Sequence, residues 1–261
     1  MVLALRRGLP RIMNKNLGGQ KVGTFAKIGD IRLEEPTTWE SQLFLTLDFD
    51  WASDEVLEES IFRLEQAGAE ATWFITHATP LIERLRENPR FELGIHPNFN
   101  FLLEGKDNSG SAEEVVESLL ELVPEAVSVR SHSMLQSSRI LQLFRGFGLK
   151  YDCNHFIPAH TGIVLRPWID WNGMMRVPYF WEDDVAAAES FRSTPSELIT
   201  APGLRVIDFH PIHITLNTRI LETYERAKAD HDNVKALRAF RDPGPGTSDF
   251  LDAILGEETA W

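Results

Sequence analysis

The chain is poor in cysteine, in positive charge and in long apolar runs, and each shortage excludes something. Cys153 is the one cysteine in 261 residues, so no intrachain disulfide can form, which fits a reducing compartment. Lys and Arg total 26 against 39 Asp and Glu. The resulting net charge of −13 repels nucleic acid and anionic lipid at long range. No stretch approaches the roughly 18 apolar residues of a membrane span. The basic opening residues, MVLALRRGLPRIMNKN, are not followed by the roughly 7–15 apolar residues that a secretory signal needs. The reading is a cytoplasmic chain with no nucleic-acid partner and no membrane span.

What is present is ordinary globular material. Hydrophobic residues make up 43% and charged residues 25%, and the length suffices to bury a sizeable core. Residues 1–40 read as an N-terminal lead-in segment and 41–261 as one domain. Strand-like runs recur every 20–30 residues, at 41–50, 70–76, 91–95, 126–131, 149–153, 174–180 and 204–209. Helical patterns lie between or after them, at 54–67, 80–87, 112–122, 137–147, 216–229 and 248–255. This alternation is the signature of βαβ units and a parallel sheet. No Gly-rich phosphate loop follows the first strand. Polar residues instead recur just past the C-terminal ends of many strands. That distribution predicts an α/β fold closed as a barrel, whose strand ends converge on one mouth, rather than an open sheet with one switch point. The loop-like stretch from His155 to Trp171 is placed to cover that mouth.

The residues at those ends carry the chemistry. Asp48 and Asp50 stand two apart at the end of a buried strand, so both face the same way. Two carboxylates that close repel unless a cation or basic partner lies nearby. His96 ends the strand FELGI, and Asn98 and Asn100 follow it. Imidazole and carboxylate at matching strand ends suit a zinc-like ion. Arg130 and His132 share one face in VRSHS, and Asp208 and His210 share one face in VIDFHP. An Arg aimed into a mouth that holds two carboxylates can pair with one of them. Each feature alone also has a plain packing or capping explanation; together they place two carboxylates, an Arg and three His at the ends of four strands.

These positions resemble the polysaccharide deacetylases, the NodB-homology group of carbohydrate esterases (family 4-like), and their WbmS-like relatives. The family's Thr-Phe-Asp-x-Asp motif stands here as Thr46-Leu47-Asp48-Phe49-Asp50, and its Ala-Thr-Phe-Phe strand as Ala71-Thr72-Trp73-Phe74. Its His-x-x-x-His motif stands as His96-Pro97-Asn98-Phe99-Asn100, its Arg motif begins at Arg130, and its Leu-x-His element is similar to Phe209-His210-Pro211. The resemblance implies a distorted (β/α)7 barrel, a divalent metal (Zn²⁺ first, Co²⁺ or another divalent ion as substitutes) and removal of N-acetyl or similar N-acyl groups from an amino sugar or polysaccharide in surface-polysaccharide synthesis. By position it makes Asp48 the catalytic base, Asp50 and His96 metal ligands, Arg130 the partner orienting Asp48, and His210 the general acid. Asp183 or Asp184 matches the acidic residue that supports His210.

The departure is Asn100, where the family has its second metal His. A carboxamide is a weaker ligand than imidazole for a zinc-like ion, so His132 is the candidate third ligand. Two alternatives stay open: hydrolysis of another small amide (an N-formyl sugar or ureide), and an inactive carbohydrate-binding barrel. Trp51, Trp73, Trp168, Trp171 and Trp181 are candidates for stacking on sugar rings, with core or loop packing as the competing account.

Overall fold

The computed structural model describes residues 24–104 and 110–256; most of the expected lead-in, residues 1–23, lies outside the described residues. Among the described residues, ten strands form one sheet. They are β1 (Thr24–Phe25), β2 (Gln42–Asp48), β3 (Ala71–Ile75), β4 (Phe91–Ile95), β5 (Ser128–Val129), β6 (Tyr151–Asp152), β7 (Trp168–Ile169), β8 (Met175–Arg176), β9 (Trp181–Glu182) and β10 (Val206–Phe209). Their order is β7-β8-β6-β5-β4-β3-β2-β10-β9, with β1 beside β2. Every pairing is parallel except β7 with β8.

The sheet curls because one stretch of chain serves both flanks. Residues 175–182, which contain β8 and β9, pair with β6 at their start and with β10 at their end. Between these, Phe156 bridges Tyr179, and the Phe180 amide donates to the Val206 carbonyl at 3.1 Å. The result is the expected distorted (β/α)7 barrel. All the parallel strands deliver their C-terminal ends to one mouth.

Local sequence explains the covering helices. The helix Asp54–Ala67 has Asp54 and Glu55 in its first turn, which favours the positive end of its dipole. It buries Val56, Leu57, Ile61 and Leu64 and stops at Gly68, whose φ of 63° is the left-handed conformation that glycine adopts freely. Ala112–Leu122 starts with a reciprocal capping box between Ser111 and Glu114. Elsewhere tertiary context prevails over pattern. The expected helix 216–229 is two helices, Pro211–Leu216 and Leu221–Ala227. Pro211 occupies the first helical turn directly after His210, a position its fixed φ favours, and Asn217 in a left-handed conformation ends the segment. The stretch 155–171, expected to cover the mouth, contains strand β7, which runs antiparallel to β8 and carries its last residues away from the mouth.

Inside the barrel, lumen-facing residues form layers. Along β4 these are Glu92, Gly94 and then His96. A Cβ at Gly94 would lie 2.6 Å from Ser128 Oγ and 2.8 Å from the Phe74 ring, so only glycine lets Phe74 approach the lumen there. The segment 24–40 packs beneath: Ile28, Ile31 and Trp39 are buried in the core, the Ile28 amide donates to Thr72 Oγ1 at 3.0 Å, and the Gly29 amide to Glu92 at 2.6 Å. Among the described residues, no helix is long and apolar enough to cross a membrane.

Candidate metal centre

Two strained turns bring the polar residues together. After β2 the chain passes through Asp50 and Trp51 with φ of 43° and 56°. Such left-handed backbone costs of order 1–3 kcal/mol per non-glycine residue and persists where surrounding contacts hold it. Here the Trp51 amide donates to Thr76 Oγ1 at 3.2 Å. After β5, Ser133 and Met134 are also left-handed, at 56° and 54°. The His132 amide donates to the Pro97 carbonyl at 2.9 Å, which docks this turn against the residue following His96.

The turns converge. Ligand atoms of Asp50, His96 and His132 all lie within 4.8 Å of one another. His132 Nδ1 is 3.1 Å from Asp50 Oδ1, and His96 Nε2 is 3.2 Å from the same oxygen. His96 is buried, and neither ring nitrogen has a hydrogen-bond partner among the described residues, although Nδ1 lies 3.4 Å from Asp48 Oδ2. Burial favours the neutral ring, but the charges of Asp48 and Asp50 outweigh it and push His96 up. Burial pushes the Asp50 carboxyl up too; the imidazoles of His132 and His96 close to it and the nearby His210 outweigh it and hold Asp50 well below the usual carboxylate range. Two imidazoles and a carboxylate around one point are a donor set that fits a zinc-like ion with room for a further ligand. The orphaned ring nitrogens of His96 are what such an ion would satisfy.

Asn100 stands aside. Its amide nitrogen donates to Ser133 Oγ at 3.4 Å, and its backbone amide to Asn98 Oδ1 at 2.9 Å.

Asp48 and His210 flank the trio. Arg130, 1% exposed, donates to Asp48 Oδ1 at 2.9 Å and also to Asp208. Its guanidinium lies between the rings of Phe74 and Tyr179, 4.7 and 4.4 Å from their centroids. Burial opposes the cation, but Asp208 and Asp48 hold Arg130 well above its ordinary value. On the other side, His210 Nδ1 lies 2.7 Å from Asp183 Oδ1, and the His210 amide donates to Asp183 Oδ2 at 2.8 Å. Its Nε2 lies 3.6 Å from Asp50 Oδ2. The acidic partner of His210 is therefore Asp183; Asp184 instead accepts from the Val185 amide. His213 is packed, with its ring 5.7 Å from that of His210 and Nδ1 2.9 Å from Thr218 Oγ1.

The residue that sequence reading undervalued is Asp208. It is fully buried, accepts from Thr46 Oγ1 at 2.5 Å and from Arg130, and leaves Oδ2 without a partner. Burial, opposed by Arg130 and reinforced by Asp48, pushes its carboxyl up to about 7. The available signal was its two-residue spacing from His210. The tryptophans divide differently from expectation. Trp73 and Trp181 are buried, and Trp181 stacks on Phe250 at 4.5 Å. Trp171 sits in the turn between β7 and β8, at the opposite end of the sheet from the mouth. Trp51 packs at 5.0 Å from the His132 ring, and Trp168 at 5.5 Å from His155.

The WbmS-like polysaccharide deacetylase family model matches residues 45–228. No curated protein matches the chain. Among solved structures it is similar to a Bordetella bronchiseptica protein assigned as a polysaccharide deacetylase involved in O-antigen biosynthesis, with 46% identity, 89% of this chain and 97% of that one covered, and a TM-score of 0.85. More distant similarities are to a protein assigned as a polysaccharide deacetylase from Mycobacterium smegmatis (14% identity, 90% and 95% covered, TM-score 0.44) and to a CE4 family pseudoenzyme from Bacillus anthracis (14%, 80% and 65%, TM-score 0.36). The family match spans more than half of the chain and the Bordetella similarity nearly nine-tenths of it, so this chain belongs to the WbmS-like polysaccharide deacetylases.

Proposed function

We propose that the chain is a divalent-metal-dependent amide hydrolase that removes an N-acetyl or similar N-acyl group from an amino sugar, acting in the cytoplasm on material destined for a surface polysaccharide. The observation that carries this reading is the convergence of Asp50, His96 and His132 on one point between the Arg130–Asp48 and Asp183–His210 pairs. The Bordetella relative's assignment to O-antigen biosynthesis supports the substrate class.

Asp50, His96 and His132 would hold the ion, which when bound acts as a Lewis acid toward the acyl carbonyl and acidifies water. Asp48 is the general base that takes the proton of the attacking water, and Arg130 fixes its orientation through the 2.9 Å bond. Asp48 also stands 3.4 Å from His96 Nδ1, which turns His96 Nε2 toward Asp50, as outer partners of ligating histidines do. His210, its Nδ1 facing Asp183, presents Nε2 to the mouth and donates a proton to the leaving amine. An amide nitrogen departs poorly without that proton.

The test is release of acetate and formate from a panel of N-acylated amino sugars, before and after chelation. Release should vanish on chelation and return with Zn²⁺ or Co²⁺. Full activity in protein shown to be metal-free would overturn metal dependence. A tightly held ion with no release from any sugar would favour a carbohydrate-binding barrel.

A further inference from the structure

Behind the mouth, on the outer side of the barrel wall, lies a buried polar cluster that the chemistry above does not use. Asp152 and Arg176 are register partners on β6 and β8 and form an ion pair. Asp152 pairs in register with Val129, whose neighbours Ser128 and Arg130 face the lumen, so Asp152 faces away from it. Asp152 Oδ1 accepts from Asn154 Nδ2, which settles the orientation of that amide: its nitrogen points to Asp152 and its oxygen elsewhere. That oxygen accepts from the Ser131 amide at 2.7 Å. Asn154 and Ser131 are each 1% exposed.

Ser131 precedes His132, and the left-handed residues Ser133 and Met134 follow. The turn is also gripped from its far side. Arg176 Nη1 donates to Gln136 Oε1 at 3.0 Å, and Gln136 Nε2 donates to the Asn154 carbonyl at 3.3 Å. Arg176 is held in turn by Asp170 through its Nε at 2.7 Å. One guanidinium thus fastens both ends of the 131–136 turn, one through Asp152 and Asn154 and the other through Gln136.

We propose that Asn154, set by Asp152 and Arg176, is a positioning residue that holds the strained 131–136 turn so that His132 meets Asp50 and His96. The inference rests on the reading of His132 as a ligand. Without the fastening, the turn relaxes from its left-handed backbone and the imidazole leaves the convergence point. The amide orientation matters more than the volume. A carboxylate at 154 has the same shape but no hydrogen to give Asp152, and it sets two acidic groups against each other.

The test compares the full-length wild type with Asn154→Asp, the exchange pair Asp152→Asn/Asn154→Asp, and Gln136→Leu. Co²⁺ affinity and the visible spectrum of bound Co²⁺ are read together with hydrogen exchange of amides 131–135. Asn154→Asp should weaken Co²⁺ binding by about 10–100-fold, the usual loss for an outer partner of a ligand. It should alter the Co²⁺ spectrum and speed exchange across the turn. The exchange pair restores the donor–acceptor order and should recover all three. Gln136→Leu, at an exposed position, should give a smaller change in the same direction. If Asn154→Asp binds Co²⁺ like wild type with exchange unchanged, or if the pair fails to recover what the single change loses, the proposal falls. A wild type that binds no Co²⁺ sinks the metal reading; faster exchange in Asn154→Asp, reversed in the pair, still upholds the fastening of the turn, and unaltered exchange overturns it.

Discussion

The two ends of the barrel lumen treat buried charge in opposite ways. At the floor, Glu92 accepts from the Gly29 amide at 2.6 Å and Ser128 Oγ at 2.8 Å, and the Tyr151 hydroxyl reaches the Gly29 and Ile31 carbonyls, both at 3.2 Å. Each of these groups has a partner within the chain. At the mouth, His96 Nδ1 and Nε2, Arg130 Nη2 and Asp208 Oδ2 are buried with none among the described residues. A buried polar atom without a partner costs about 1–3 kcal/mol. Single unpartnered atoms also occur elsewhere, such as Trp39 Nε1 and Ser60 Oγ, but four on neighbouring charged and imidazole groups mark a place built for something other than stability. The floor is satisfied by the chain's own groups, and the mouth leaves bonds that the proposed ion would complete.

Four measurements would break or sharpen this contrast. The largest effect belongs to the convergence point: His132→Ala should weaken metal binding by several orders of magnitude, whereas Asn100→Ala, which loses only a contact to Ser133, should weaken it by about 10–100-fold. Equal losses by metal titration would make Asn100 a ligand. Next, Asp48→Asn should lower kcat by about 10²–10⁴, the range for a lost general base, while metal content stays near wild type. Loss of the metal would reassign Asp48 as a ligand.

The third concerns pH. Burial favours the neutral form of His210, but the Asp183 carboxylate outweighs it and raises His210 well above the ordinary imidazole range. The acid form therefore persists to that raised value, and activity should fall as pH rises through it. Asp183→Asn removes the stabilising charge, so the alkaline limb of the kcat/KM profile should move to lower pH. An unmoved limb would mean that another group sets it. The smallest effect on chemistry belongs to the floor. Glu92→Ala unpairs the Gly29 amide and should cost about 1–3 kcal/mol of stability in urea unfolding, with Co²⁺ affinity unchanged. A large drop in affinity would show that the two ends are not independent.

The motif-bearing strands β2, β3 and β4 were legible because their apolar runs are continuous and end sharply in polar residues. β4 matched its expected limits of 91–95. Strands β5, β6 and β8 shrink to two residues each, because barrel curvature breaks the ladder while side chains stay buried. β9 was invisible: Trp181 and Glu182 run on from an apolar stretch, and only the closing of the sheet against β10 makes them a strand. At the site, spacing identified which residues share a face, but not which pairs touch. That Arg130 serves Asp208 as well as Asp48 depends on β10 lying beside β2, a neighbour relation across some 160 positions of chain.

The guanidinium of Arg130, clamped between Phe74 and Tyr179 with Asp48 and Asp208 as its ion partners, turns the lumen into a cul-de-sac. That layer is fully packed, with Arg130 1% exposed, so in the proposed reaction water, acylated sugar, carboxylic acid and free amine would share one doorway. In the proposed reaction the acyl group would lie at the inner end, beside Asp50, His96 and His132, with the sugar between it and solvent, and the exit sequence would then be amine first, acid second. Kinetics can read this directly. Acetate, the last to depart, should inhibit competitively against the acylated sugar, and the free amino sugar should inhibit noncompetitively; the reverse pattern would require a back exit through the Arg130 layer.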